Sequence, residues 1–98
     1  MKRADAIEKL REYADAIRAL GGTSLYLFGS TARGEAGPGS DLDVFIDYDP
    51  QGPFNAFDLV AAKQLLEAGL GIDVDLTTRG GLHPLISRQI QANAIRIF

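Results

Sequence analysis

Two segments of this chain alternate apolar residues with aspartates, and that pattern constrains the fold more than any other feature. From Asp41 to Asp47, Leu42, Val44 and Ile46 face one side, while Asp41, Asp43, Phe45 and Asp47 face the other. From Ile72 to Thr77, Ile72, Val74 and Leu76 share a face and Asp73 and Asp75 take the opposite one. Each segment is therefore expected to be a strand with one apolar and one acidic face. The apolar faces need cover, and helices elsewhere in the chain are the elements available to cover them. That leaves an acidic face open, where mutual repulsion of the carboxylates makes a divalent cation the natural compensating charge.

The covering helices are read from the 3.6-residue period. Ile7, Leu10, Ala14, Ile17 and Leu20 place a helix over residues 3–20, stopped by Gly21-Gly22. A second helix over 54–68 carries Phe57, Val60, Ala61 and Leu65 and ends at Gly69, with Phe54 and Phe57 expected in the core. A third starts near Pro84 and is expected to bury Leu85, Ile86 and Ile90. Between them, Ser24–Phe28 is a short buried strand broken at Gly29, residues 34–40 form a glycine-rich loop, and residues 48–53 are turn material. Residues 95–98 suit either a last helical turn or a short edge strand. The expected order is α-β-β-α-β-α, an α+β fold in a single domain spanning residues 1–98.

Composition narrows the setting. With 98 residues, 46% hydrophobic and 23% charged, the chain is an ordinary globular domain with one core. A formal charge of −3 argues against direct nucleic-acid binding, which needs a basic footprint. There are no cysteines, so disulfides and thiolate metal sites are excluded. No apolar leader or membrane-length segment is present, so no membrane association and a cytoplasmic location are expected.

The chemistry concentrates in one spaced constellation: Gly29-Ser30, ten residues, then Asp41-Leu42-Asp43. A glycine after a strand permits a backbone conformation and close approach that side chains forbid. Ser30-Thr31-Ala32-Arg33 suits a short helical turn whose free N–H groups favour phosphate. Asp41 and Asp43, at i and i+2 of a strand, point the same way and suit two bridging Mg²⁺ ions. Phosphoryl and nucleotidyl transfer need such parts, phosphates held in place and metals to neutralise charge. Arg33 either reaches a phosphate or balances the acidic site. Either Asp73 or Asp75 supplies a third carboxylate. His83, the only histidine, is expected to cap a turn or lie at the surface, and Phe45 either packs under a base or plugs the sheet.

The segments Leu27-Phe28-Gly29-Ser30-Thr31-Ala32-Arg33-Gly34, Ser40-Asp41-Leu42-Asp43-Val44 and Val74-Asp75-Leu76 resemble the minimal nucleotidyltransferase family. This is the smallest branch of the DNA polymerase β-like superfamily. The resemblance implies the nucleotidyltransferase fold, a small mixed sheet with helices on one face and an acidic active-site face left open. It implies that Gly29 and Ser30 contact the nucleotide phosphates, with Arg33 as a further candidate. It assigns Asp41 and Asp43 to two Mg²⁺ ions, and Asp75 rather than Asp73 to metal binding and activation of the acceptor hydroxyl. Members of this size resemble antitoxins whose partner is a HEPN-type ribonuclease toxin, some of which they silence by transferring AMP from ATP onto a tyrosine. ATP is then the substrate and a hetero-oligomer the expected assembly, since the chain ends about where a catalytic core does and the acceptor must dock from outside. Two alternatives stand beside it: an antitoxin that binds without transfer, and transfer to a small hydroxyl compound.

Overall fold

A computed structural model describes all of residues 1–98. Helices α1 (Arg3–Arg11) and α2 (Ala14–Leu20) lead into strand β1 (Gly22–Phe28) and a single helical turn, α3 (Gly29–Ala32). Strand β2 (Leu42–Tyr48), helix α4 (Ala56–Leu70) and strand β3 (Val74–Thr78) follow. A 3₁₀ turn (Arg79–Gly81), helix α5 (Ser87–Asn93) and a short strand β4 (Ile95–Arg96) complete the chain.

The sheet order is β3-β2-β1-β4. β1 pairs antiparallel with β2 and with β4, whereas β2 and β3 are parallel. Parallel neighbours require a crossover, and α4 supplies it. The sheet is therefore mixed, as the α+β reading expected, and residues 95–98 resolve as an edge strand. The Ile97 amide donates to the Leu25 carbonyl at 2.7 Å and continues that edge beyond the two strand residues.

Alternation sorts the two faces as expected. Leu25, Leu27, Leu42, Val44, Ile46, Val74 and Leu76 are buried against Ala6, Leu10, Ile17, Ala62, Leu66 and Leu70 of the helices. The Glu67 carboxylate, near the end of α4, accepts from the Val74 amide at 3.0 Å and from Lys63 Nζ at 3.0 Å. Those two bonds pull its pKa down, and they pin the start of β3.

Three helical expectations are corrected. The helix over 3–20 is two helices, because the Glu12 and Tyr13 amides tighten onto the Lys9 and Leu10 carbonyls, each at 3.1 Å. Half-buried Tyr13 then packs so closely on Gly69 that a Cβ there would collide with its ring. Gly69 thus lies inside α4 rather than ending it; the helix runs to Leu70 and is capped by Gly71 at φ +71°.

The apolar face of α4 is the second correction. The buried residues are Ala62, Leu66 and Leu70, whereas Phe57 is 85% and Val60 51% exposed. Apolar side chains lie nearly all round this helix, so its period alone does not choose a face. The capping box between Asn55 and Asp58 sets its start, and the contact with α2 and the sheet sets its rotation. Phe54 is half-buried and stacks on Tyr48, with ring centroids 4.9 Å apart.

The third correction concerns α5, which starts at Ser87 rather than near Pro84. His83 accepts the Leu85 amide on Nδ1 at 3.2 Å and the Ile86 amide on its carbonyl at 3.1 Å, closing a turn before the helix. Leu85 is consequently 89% exposed and Ile86 49% exposed, and Ile90 is only half-buried.

Candidate active site

β1 ends at Phe28, opposite Asp43 of β2, and the chain turns there through Gly29 at φ +75°. Two constraints meet at this glycine. The positive φ is one that side-chain-bearing residues rarely adopt. In addition, the Asp43 carboxylate lies against its Cα: a Cβ at residue 29 would overlap Asp43 Oδ2 and sit 3.1 Å from Cγ. The glycine and the second aspartate of the spaced constellation are in contact.

The turn continues as α3, confirming the short helical turn expected from Ser30 to Arg33. Its cap residue, Phe28, offers no side-chain acceptor to the amides of the first turn. Thr31 is buried beneath it and Ser30 half-buried beside it. The loop to β2 folds back through a 2.8 Å bond from the Glu35 amide to the Ser30 carbonyl. It delivers Asp41 to the position just before β2, where the side chain is exposed.

Parallel pairing completes the cluster. Asp43 of β2 is in register with Asp75 of β3, on the sheet face opposite the core. The pKa of Asp43 is raised, chiefly by burial, then by the charges of Asp75 and Asp41, with Arg33 opposing. Asp75 contributes to this repulsion and Asp73 does not, so geometry brings Asp75 to Asp43. Arg33 itself is exposed, and its Nε donates to Glu35 Oε2 at 2.9 Å. None of Asp41, Asp43 and Asp75 takes part in an ion pair; the four ion pairs of the chain lie elsewhere.

No three acidic or histidine side chains close into a ready-made metal cage. The donor set nonetheless fits Mg²⁺, which is commonly held by one or two carboxylates with water and substrate phosphates filling the remaining positions. Asp43 has no ion-pair partner, and burial, then the neighbouring Asp75 and Asp41, raises its pKa. Asp41 and Asp43 are the residues that could hold such a cation, with Asp75 in register beside Asp43.

Beside this cluster lies a cleft of about 610 Å³. Phe28, Gly29, Ala32 and Arg33 line one wall; Ile86, Gln89, Ile90 and Asn93 line the other. Sequence reasoning missed the second wall. Its signal was present, since 86, 89, 90 and 93 are spaced as one face of a helix, but the reading assigned Ile86 and Ile90 to the core.

Further along the outer face lie aromatic side chains and an ion pair. Phe45 is fully buried, stacked on Tyr26 with centroids 4.8 Å apart and tilted against Phe28 at 5.8 Å. It plugs the sheet. The Arg79 guanidinium lies over Tyr26 and Phe45 and neutralises Asp47.

Comparison with known proteins converges on one family. The family described as Nucleotidyltransferase domain matches residues 7–97. A Methanocaldococcus jannaschii protein, provisionally named protein adenylyltransferase MJ1217, is 37% identical over 75 residues, covering 76% of this chain and 74% of that protein. A solved structure, provisionally described as a minimal nucleotidyltransferase, superposes with a TM-score of 0.73 at 32% identity over 97% of this chain and 95% of that one. A complex of tri-AMPylated Shewanella oneidensis HEPN toxin with an MNT antitoxin shares the fold, with a TM-score of 0.62 at 18% identity over 90% of this chain and 68% of that one.

Proposed function

The chain belongs to the nucleotidyltransferase domain family and is a nucleotidyltransferase; from that premise we propose that it transfers AMP from ATP to a tyrosine hydroxyl of a HEPN-type ribonuclease toxin. The observation that carries the reading is the seating of Asp43 against Gly29, with Asp75 in register beside it. That contact brings the Gly29 turn and the acidic cluster to one point. The protein acceptor is supported by the M. jannaschii relative's name, and the toxin class by the S. oneidensis complex.

In this reading the nucleoside lies in the cleft between α3 and α5, and the phosphates lie over Gly29 and Ser30. Arg33, at the cleft wall, faces the same charge. Asp41 and Asp43 would hold Mg²⁺, which would supply charge neutralisation on the phosphates and polarisation of the attacking oxygen. Asp75 is exposed, beside Asp43 and open to an incoming acceptor. Its carboxylate takes the proton of the tyrosine hydroxyl as the tyrosine oxygen bonds to the α-phosphorus. The bond from that phosphorus to the bridging oxygen breaks, and pyrophosphate leaves.

The acceptor arrives on another molecule, so the working unit is a hetero-oligomer with the toxin. No helix is long and apolar enough to cross a membrane. The test is to incubate the chain with labelled ATP, Mg²⁺ and a cognate HEPN protein. The expected result is a gain of one or more AMP masses on a partner tyrosine, abolished by Asp43→Ala. Full neutralisation of the toxin at unchanged mass would replace transfer with binding alone.

A further inference from the structure

Helix α5 forms a wall of the cleft, yet none of its residues is fully buried. Its side chains also make only one hydrogen bond to another element: Arg79 Nη1 donates to Gln91 Oε1 at 2.6 Å. The other side-chain bonds of α5 are internal, from Gln91 to Ser87 and from Asn93 to the Gln89 carbonyl. A seven-residue helix this exposed does not hold its own position. Its one side-chain anchor on another element is Arg79.

Arg79 is itself firmly placed. Its Nε and Nη2 donate to the two oxygens of Asp47 at 2.8 and 2.9 Å. Its guanidinium carbon lies 4.9 Å from the centroids of both Tyr26 and Phe45. A guanidinium is planar, so fixing two nitrogens on one carboxylate and its face on two rings sets the direction of the remaining donors. Asp47 and Phe45 lie on the central strand that also carries Asp43.

We infer that Arg79 is a positioning residue, holding α5 at the separation from β1 and α3 that the nucleotide cleft requires, through its bond to Gln91. It lines no part of the cleft and need not touch substrate. The inference rests on the reading of that cleft as the nucleotide site. It adds a residue that neither the motif nor its spacing reveals.

The test uses the full chain with Arg79→Met, Gln91→Leu, the double variant and Gln91→Glu. Two quantities are read: amide hydrogen exchange of residues 89–93 without nucleotide, and the ATP dissociation constant by calorimetry. Both single variants should accelerate α5 exchange and weaken ATP binding about tenfold, the scale of a lost charge-assisted hydrogen bond. The double variant should be little worse than Arg79→Met alone, because once the guanidinium is gone Gln91 has no bond to another element left to lose. Gln91→Glu keeps the acceptor and should stay near the unmodified protein in both readouts. Leu66→Ala serves as the control for general destabilisation and should leave the ATP constant unchanged. Unchanged exchange in Gln91→Leu would overturn the staple, and accelerated exchange with unchanged ATP affinity would overturn its link to the cleft. Absence of ATP binding in the unmodified chain would instead remove the nucleotide reading, while the exchange data still decide whether Arg79 holds α5.

Discussion

The Asp43 carboxylate occupies the space that a side chain on residue 29 would need. Thirteen residues separate the two in sequence, and the pairing of β1 with β2 returns one to the other. Gly29 is thus required twice, for its φ of +75° and for the approach of Asp43. Gly29→Ala should displace Asp43 or flatten the turn, at a cost of about 1–3 kcal/mol of local strain. Transfer activity should fall at least tenfold while circular dichroism still shows a folded chain. A Gly29→Ala protein with full activity would mean that the contact does not shape the site.

The raised pKa of Asp43 gives a pH dependence of definite sign. A carboxyl that binds its proton more tightly when folded favours folding at low pH. That contribution is complete below the ordinary value of 3.8 and is lost as pH rises through the higher folded value. Asp43→Asn should therefore be more stable than the unmodified chain at neutral pH, with the gap closing toward acid. Calorimetric scans between acid and neutral pH measure it; a gap that widens toward acid would contradict the assignment.

The same unpaired carboxylate predicts a response to metal. Mg²⁺ at about ten times its Kd should stabilise the folded chain by about 1.4 kcal/mol, raising Tm by about 6 °C for a domain of this size. EDTA should reverse the gain, and Asp43→Asn should not show it. An equal Mg²⁺ effect in both proteins would place the cation elsewhere.

Asp75 and Asp73 separate cleanly by placement. Asp75 is in register with Asp43, whereas Asp73 precedes β3 and its carbonyl accepts the Leu42 amide at 3.1 Å. Asp75→Asn should lower the transfer rate by about 10²–10⁴, the range for loss of a general base. Asp73→Asn should change it less than about twofold, as expected of an exposed residue away from the chemistry. Rates from radiolabelled AMP incorporation decide it.

What the sequence disclosed follows from the range of each interaction. β2 and β3 and their faces were legible because a period of two needs only neighbouring residues, and Gly29 announced its turn by lacking a side chain. The break between α1 and α2 goes with Tyr13 packing on Gly69, a contact between segments far apart in the chain. Nothing in the sequence singles out Arg79; only the parallel register, with Ile46 opposite Thr78, brings it beside Asp47. The far wall of the cleft was unread for a related reason, since a half-exposed apolar residue such as Ile90 has the same sequence signature as a core residue.

The rotation of α4 yields a stability contrast that periodicity would have inverted. Leu66 is fully buried in the sheet-facing layer, and its truncation to alanine should cost about 2–5 kcal/mol. Phe57, the larger side chain and the one a simple stripe places inside, is 85% exposed. Phe57→Ser should cost less than about 0.5 kcal/mol, since it removes little buried area and leaves no cavity. The Asn55–Asp58 capping box that starts the helix is untouched by either change. Urea midpoints at constant slope measure both. A Phe57→Ser loss comparable to that of Leu66→Ala would show that α4 packs by its other face, and would move the start of β3, and Asp75 with it.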